Sequence, residues 1–395
     1  MSFRIDFKTK HLGILALAVG SFAIGTAEFV AMGLQPEMAN SSHISIAIAG
    51  QYISSYALGV VIGAPILAVV TAKLPHKAVL IGLMFCYALA NIVSAFFSDF
   101  NVLVILRFIS GLPHGIYFGI ATMVASCMVE RNERSKAVGS VMLGLTIATV
   151  IGAPSATWIG QFIGWQVAFF LVGIVSFVCC FLIWKFLPSV SNFAKTSILN
   201  ELSALKKKEV WFLLAMVSIG ASGLFSVFTY IKSTLLYVSN VSLEWVPFIM
   251  PLMGLGMVVG NILGPEFAVK IGSSATIFFT MLWSTFIFFL FFLLSYTPLT
   301  AALGCFLIGT SFASMPSMQT KIMDIAVPAQ ILASALMQSA FNVANALGAE
   351  LGAYVLKLGY SYEYTAILGG ILTLCGLLIF CFLWYMEKYN QYFSE

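Results

Sequence analysis

The sequence predicts an all-α polytopic membrane protein: twelve transmembrane helices in two pseudo-symmetric six-helix bundles. Three observations predict it. Of the 395 residues, 61% are hydrophobic and only 9% are charged, whereas soluble globular chains carry about 25% charged residues. Twelve apolar stretches are long enough to cross the hydrocarbon of a bilayer, which takes about 20 residues per helix. The two halves of the chain also repeat one another. A mean hydropathy of +1.01 leaves too few polar groups for a water-facing surface. Soluble enzymes, nucleic-acid binders and disordered chains are thereby excluded.

The stretches run near 12–34, 46–71, 78–97, 101–128, 137–158, 166–187, 210–236, 244–263, 275–295, 299–320, 331–356 and 363–385. The first is too long for the core of a cleavable signal peptide. One long polar interruption, 188–209, holds Lys195, Glu201, Lys206, Lys207, Lys208 and Glu209. It divides the chain into a bundle over 1–187, a cytoplasmic linker over 188–209 and a second bundle over 210–395. With both termini cytoplasmic, 16 of the 19 lysines and arginines fall on the inner side, as the positive-inside rule requires. Arg107, Lys232 and Lys357 are the three that do not. The net charge of +4 therefore matters through its placement, and the basic linker is expected to rest against anionic lipid. The seven cysteines lie in or at the ends of apolar runs without CxxC spacing, so packing explains them and neither a metal nor another cofactor is implied.

The repeat rests on two pairs of segments. Gly63-Ala64-Pro65-Ile66-Leu67 has a counterpart in Gly260-Asn261-Ile262-Leu263-Gly264, an offset of 197. Gly152-Ala153-Pro154 with Gly164-Trp165 matches Gly348-Ala349-Glu350 with Gly359-Tyr360, at offsets of 196 and 195. Parallel duplication of six spans places a substrate site between the halves near mid-membrane.

Ionisable groups in hydrocarbon are functional candidates by default. Glu28 sits in the first span within Gly25-Thr26-Ala27-Glu28-Phe29. A desolvated carboxyl favours its neutral form, so Glu28 is expected to take up and release a proton. Arg107 lies about 9 Å inside the fourth span at 1.5 Å per residue, and His114 follows at i+7 on the same face. Arg107 is expected to modulate Glu28, and His114 to titrate near neutral pH. The alternative is that these side chains only tie helices together. Tyr56, Tyr117, Tyr230, Asn342, Asn345 and Glu350 are candidates for the substrate cavity. Interhelical hydrogen bonding explains Tyr230, Asn342 and Asn345 equally well, and outward snorkelling explains Glu350 with Lys357, and also Lys232. Gly144, Gly152 and Pro154 mark the fifth span as a closely packing, bent helix.

These residues resemble the drug:proton antiporter branch of the major facilitator superfamily, in particular its arabinose-efflux-permease-like (AraJ-type) members. The resemblance covers essentially the whole chain. It is carried by Gly25 to Phe29 with Met32-Gly33-Leu34, by Ser55-Tyr56-Ala57-Leu58-Gly59, and by Arg107 with Gly111, His114-Gly115 and Phe118-Gly119. Gly144-Leu145-Thr146 before Gly152-Ala153-Pro154 looks like the span-5 antiporter motif, and Asn342 with Asn345-Ala346-Leu347-Gly348-Ala349 fits the same branch. The resemblance implies two bundles rocking about a central site and proton-coupled efflux of small organic molecules, with sugars, nucleosides and lipophilic drugs as candidate substrates. The chain departs from the superfamily in three places. The loop Thr71-Ala72-Lys73-Leu74-Pro75-His76-Lys77 lacks its usual acidic residue, the corresponding place after the eighth span, Val269-Lys270, lacks one too although Glu266 is close by, and Glu350 stands where small residues are usual.

The resulting expectation is a secondary active antiporter in a bacterial inner membrane, acting as a monomer with protons, small substrates and lipids as its only partners. An importer or uncoupled facilitator on the same fold is the alternative. An intramembrane enzyme is remote, because the sequence holds no HExxH, GxSxG or phosphate-binding loop. A sensor is equally remote, because no soluble domain accompanies the spans.

Overall fold

A computed structural model describes residues 7–188, 198–242 and 244–392, and the described residues contain helices and no strands. Arg4 and Lys195, counted above among the inner cations, lie outside the described residues.

In chain order the helices are α1 (Phe7–Gly33), α2 (Gln35–Ser41), α3 (Ile46–Ala49), α4 (Gln51–Thr71), α5 (His76–Ser94), α6 (Phe100–Cys127), α7 (Arg134–Ile147), α8 (Ala153–Phe162), α9 (Trp165–Phe186) and α10 (Ile198–Leu202). They continue as α11 (Lys208–Gly220), α12 (Ser222–Phe228), α13 (Ile231–Tyr237), α14 (Val246–Ile271), α15 (Ser273–Leu294), α16 (Pro298–Gly309), α17 (Met315–Ile325), α18 (Gln330–Lys357) and α19 (Tyr364–Tyr392). Eleven spans among the described residues are long and apolar enough to cross a membrane. The twelfth predicted span is α18, which is 28 residues long but carries Gln338, Asn342, Asn345 and Glu350. Trp158, Phe162, Phe248 and Leu299 are exposed, as befits side chains whose solvent is lipid.

Local chemistry explains where helices start and bend. Asp99 caps α6 by accepting from the Val102 amide at 3.0 Å, and Thr297 caps α16 in the same way. Pro154 has no amide hydrogen to give, so the chain widens into a π-turn over Ala148–Gly152 before α8. This is the physical form of the bend expected in the fifth span. The predicted seventh span is three helices, α11 to α13. Its breaks coincide with hydroxyls that bond back to the backbone, Ser222 to the Ile219 carbonyl and Thr229 to the Phe225 carbonyl. α14 continues eight residues beyond the predicted end at 263, to Ile271. The charges of Glu266 and Lys270 belong to its last turns rather than to a loop.

The chain forms two compact units. One comprises Met1–Ala204 with Ala326–Ser339, and the other Leu205–Ile325 with Ala340–Glu395. In the first, Gly59, Gly63 and Gly111 let α4 and α6 meet backbone to backbone. One end of this unit is packed by Val30, Leu34, Met38, Tyr52, Leu103, Trp165 and Phe169. The start of α18 belongs to this unit because α6 offers it glycine seats. A methyl at Gly119 would stand 2.8 Å from the Ile331 carbonyl and 3.2 Å from Ala335 Cβ. In the second unit α15, α11 and α12 pack on α19, and α14 on α16. Lys321 pairs with Glu387 at 2.6 Å and donates to Ser274 at 3.0 Å.

Candidate functional site

The sequence-predicted residues of the first unit converge on Arg107. α6 carries it to a position 1% exposed, between α4 and α9. Its Nε donates to the Tyr52 carbonyl at 3.3 Å, and its guanidinium carbon lies 4.4 Å from the centre of the Tyr56 ring. The Phe169 ring flanks it at 5.5 Å. Desolvated cation–π contacts of this kind stabilise by about 2 kcal/mol. One guanidinium nitrogen, Nη1, is buried without a hydrogen-bond partner. A buried charge left partly unsatisfied is unfavourable unless an anion faces it.

Glu28 is the carboxyl that α1 brings to the site. It interacts electrostatically with Arg107, Tyr56 and Tyr87. Among the described residues no ion pair closes between Glu28 and Arg107, and Glu28 keeps part of its surface open. The carboxyl is thus near enough to interact with the arginine without closing an ion pair.

A line of hydroxyls runs beside this pair. Tyr87 donates to the Ile24 carbonyl at 3.3 Å, one turn before Glu28 on α1. The Tyr56 hydroxyl lies 3.5 Å from that of Tyr87 and 2.9 Å from His114 Nδ1. With the Tyr87 hydrogen given to Ile24, the hydrogen of Tyr56 serves the shorter contact. Nδ1 then accepts, and the imidazole proton is assigned to Nε2. His114 is 2% exposed, packed between the rings of Tyr56 and Phe118.

Tyr117 is placed differently from its neighbours. Its hydroxyl donates to the Leu17 carbonyl at 2.7 Å and meets Cys179 Sγ at 3.9 Å. It is 0% exposed, so it joins α1 to α9 and presents no surface to a ligand. Gly144 and Gly152 pack on the helix that carries Glu28. A Cβ at Gly144 would collide with the Ala18 carbonyl, and one at Gly152 with Thr26 Oγ1. Pro154 shapes the π-turn between them. Gly144→Val is accordingly expected to destabilise the protein by about 1–3 kcal/mol, the usual cost of overpacking. Melting of the detergent-purified variant, compared with wild type, checks this. Equal melting of wild type and the valine variant would show that α1 and α7 are not so close.

In the second unit Tyr230 donates to the Ala349 carbonyl at 2.8 Å, which ties α18 to the break between α12 and α13. Tyr230 also interacts electrostatically with Glu350. Glu350, Lys357 and Lys232 are exposed, Asn342 is buried and Asn345 is partly exposed. A cavity lined by Ser284, Ser311, Ser314, Met315, Phe341 and Thr373 opens in the same unit. Sequence reasoning did not single out Tyr52, Tyr87 or Phe169. Two of them act through rings or a hydroxyl inside apolar runs, and Tyr52 acts through its carbonyl, which no side-chain pattern reveals. Among the described residues no cluster of His, Cys, Asp and Glu is arranged to hold a metal.

Apolar helices in two compact units, with a buried arginine that interacts electrostatically with a carboxyl, are what a membrane transporter would present. The family model of the Major Facilitator Superfamily matches residues 17–331, and the chain belongs to that family. It is a multi-pass membrane protein that moves small substrates and is not an enzyme. The chain is 34% identical to the inner membrane transport protein YdhP of Escherichia coli over 370 residues, 93% of this chain and 94% of that protein. It is 31% identical to the putative transporter AraJ of Escherichia coli over 368 residues, 92% of this chain and 93% of that one. A probable sugar efflux transporter of Pasteurella multocida is 26% identical over 382 residues, 96% of this chain and 94% of its own. The human organic anion transporter MFSD10 (TETRAN) superposes with a TM-score of 0.76 at 15% identity, covering 94% of this chain and 99% of that one. That likeness concerns the fold.

Proposed function

We propose that the protein is a proton-coupled exporter of small organic molecules, working by alternating access in a bacterial inner membrane. The observation that carries this reading is the electrostatic interaction of Glu28 with a buried Arg107 whose Nη1 lacks a hydrogen-bond partner. Glu28 carries the proton, and Arg107 sets how readily it is released. When the guanidinium is close, the carboxylate is favoured and the proton leaves. When conformational change draws them apart, the carboxyl takes a proton up. Tyr56, hydrogen-bonded to His114, keeps the arginine in place through its ring.

Coupling requires proton and substrate to favour different states. Asn342, Asn345 and Glu350 on α18, with Tyr230, are the groups we assign to the substrate. The exporters named among the relatives favour efflux, and the sugar efflux name makes sugars the first class to test. We assign both termini to the cytoplasm, residues 188–209 to the linker between the rocking bundles, and the monomer as the working unit.

The test is efflux from proteoliposomes under an imposed pH gradient, over a panel of sugars, nucleosides and lipophilic cations. Export of one class that follows the gradient and collapses with a protonophore is the expected result. Transport of that class indifferent to the gradient would instead establish a facilitator.

A further inference from the structure

Among the described residues, the best-buried carboxylate outside the Arg107 site is Glu201, on the short helix α10 of the segment between the halves. It is 0% exposed, and α10 lies against α4. Its Oε2 accepts a hydrogen bond from the Leu332 amide at 2.9 Å. α18 begins at Gln330, so this amide is among the first four of the helix, which have no acceptor within it. The start of a helix also carries partial positive charge. Glu201 therefore supplies both an acceptor and a counter-charge to the first turn of α18.

Other contacts hold the same turns of α18 to the first unit. Thr122 Oγ1 of α6 meets Ser334 Oγ at 3.1 Å. Gly119 admits the Ile331 carbonyl, and Gly115 faces Ala335. Residues Ala326–Ser339 group with the first unit, whereas the same helix from Ala340 onward groups with the second. Asn342, Asn345 and Glu350, the substrate groups proposed above, stand on that second stretch. The Thr71–Lys77 loop contains no carboxylate and cannot take the place of Glu201.

We propose that Glu201 is a positioning residue of the transport cycle. Its carboxylate latches the start of α18 onto α6 and α4, and the transition that opens this end of the protein must release the Leu332 amide. The inference rests on the alternating-access reading, because a latch has meaning only where the two states exchange.

The experiment needs neither substrate nor proton gradient, so it stands apart from the test of antiport. Thr122→Cys and Ser334→Cys are introduced into a chain whose seven native cysteines are replaced, and disulfide formation is timed in membranes. A second pair, Lys10→Cys with Glu133→Cys, probes a 3.4 Å contact within the first unit that does not involve α18. Glu201→Ala is expected to slow the Thr122–Ser334 crosslink roughly tenfold, the scale set by a hydrogen bond to a charged group, and to leave the control pair unchanged. Glu201→Asp, which keeps the charge, recovers part of the rate. Where the alanine variant misfolds and loses both crosslinks, the isosteric Glu201→Gln is read instead, and selective slowing is again required. Equal crosslinking of the α6–α18 pair in wild type and in folded Glu201→Ala, or in Glu201→Gln where alanine misfolds, would overturn the proposal.

Discussion

Glu28→Gln is expected to abolish uphill export while leaving ligand binding within a few-fold of wild type. Glutamine has nearly the shape and hydrogen-bonding reach of a protonated glutamic acid, but it cannot release a proton. A pH difference of one unit is equivalent to about 1.4 kcal/mol per proton, so one-for-one antiport sustains roughly a tenfold substrate gradient. The wild type should build that gradient, and the variant should only let it decay. Substrate concentrations inside and outside proteoliposomes at steady state give the answer. A Glu28→Gln protein that still concentrates substrate would assign proton transfer elsewhere.

The second large effect concerns Arg107. The guanidinium is 1% exposed and remains charged in a protein. Removing Glu28 strands that charge, whereas removing Arg107 strands a carboxyl that can become neutral by binding a proton. Glu28→Gln should therefore lower the melting temperature more than Arg107→Gln. The double variant should be more stable than the two single losses added together, with a coupling of about 1–3 kcal/mol for groups in one network. Arg107→Lys keeps the charge but not the planar group that lies on Tyr56 while donating to Tyr52. It is expected to fall well below wild type in coupled export. Melting curves in detergent for the four proteins of the cycle test this, and simple additivity would dissociate the two residues.

The helical scaffold was legible in the sequence because hydrocarbon imposes its own length and composition on each span. Hydropathy misjudged α14, since Glu266 and Lys270 end the apolar run without ending the helix, as charges at a span end can reach the interface. It also could not show that the seventh span is broken, a result of backbone-directed hydroxyls and of Tyr230 reaching the Ala349 carbonyl. Within the candidate site Glu28, Arg107 and His114 were visible because polar groups are unfavourable there. Tyr117 resembled Tyr56 as a sequence feature, yet its hydroxyl joins α1, a difference that depends on which helix faces it. Tyr87 and Glu201 were hidden for the opposite reason. The first lies in an ordinary apolar run, and the second in a polar segment where an acid attracts no notice. Only the tertiary packing sets Tyr87 beside Tyr56 and Glu201 at the start of α18.

The most direct test of the antiport mechanism is proton release by the purified protein in weakly buffered detergent when candidate ligands are added. Sugars, nucleosides and lipophilic cations are added in turn to wild type and to Glu28→Gln near neutral pH. One ligand class is expected to displace protons from the wild type and none from the variant, although both bind it. Ligand binding to the wild type with no proton released would contradict the antiport mechanism.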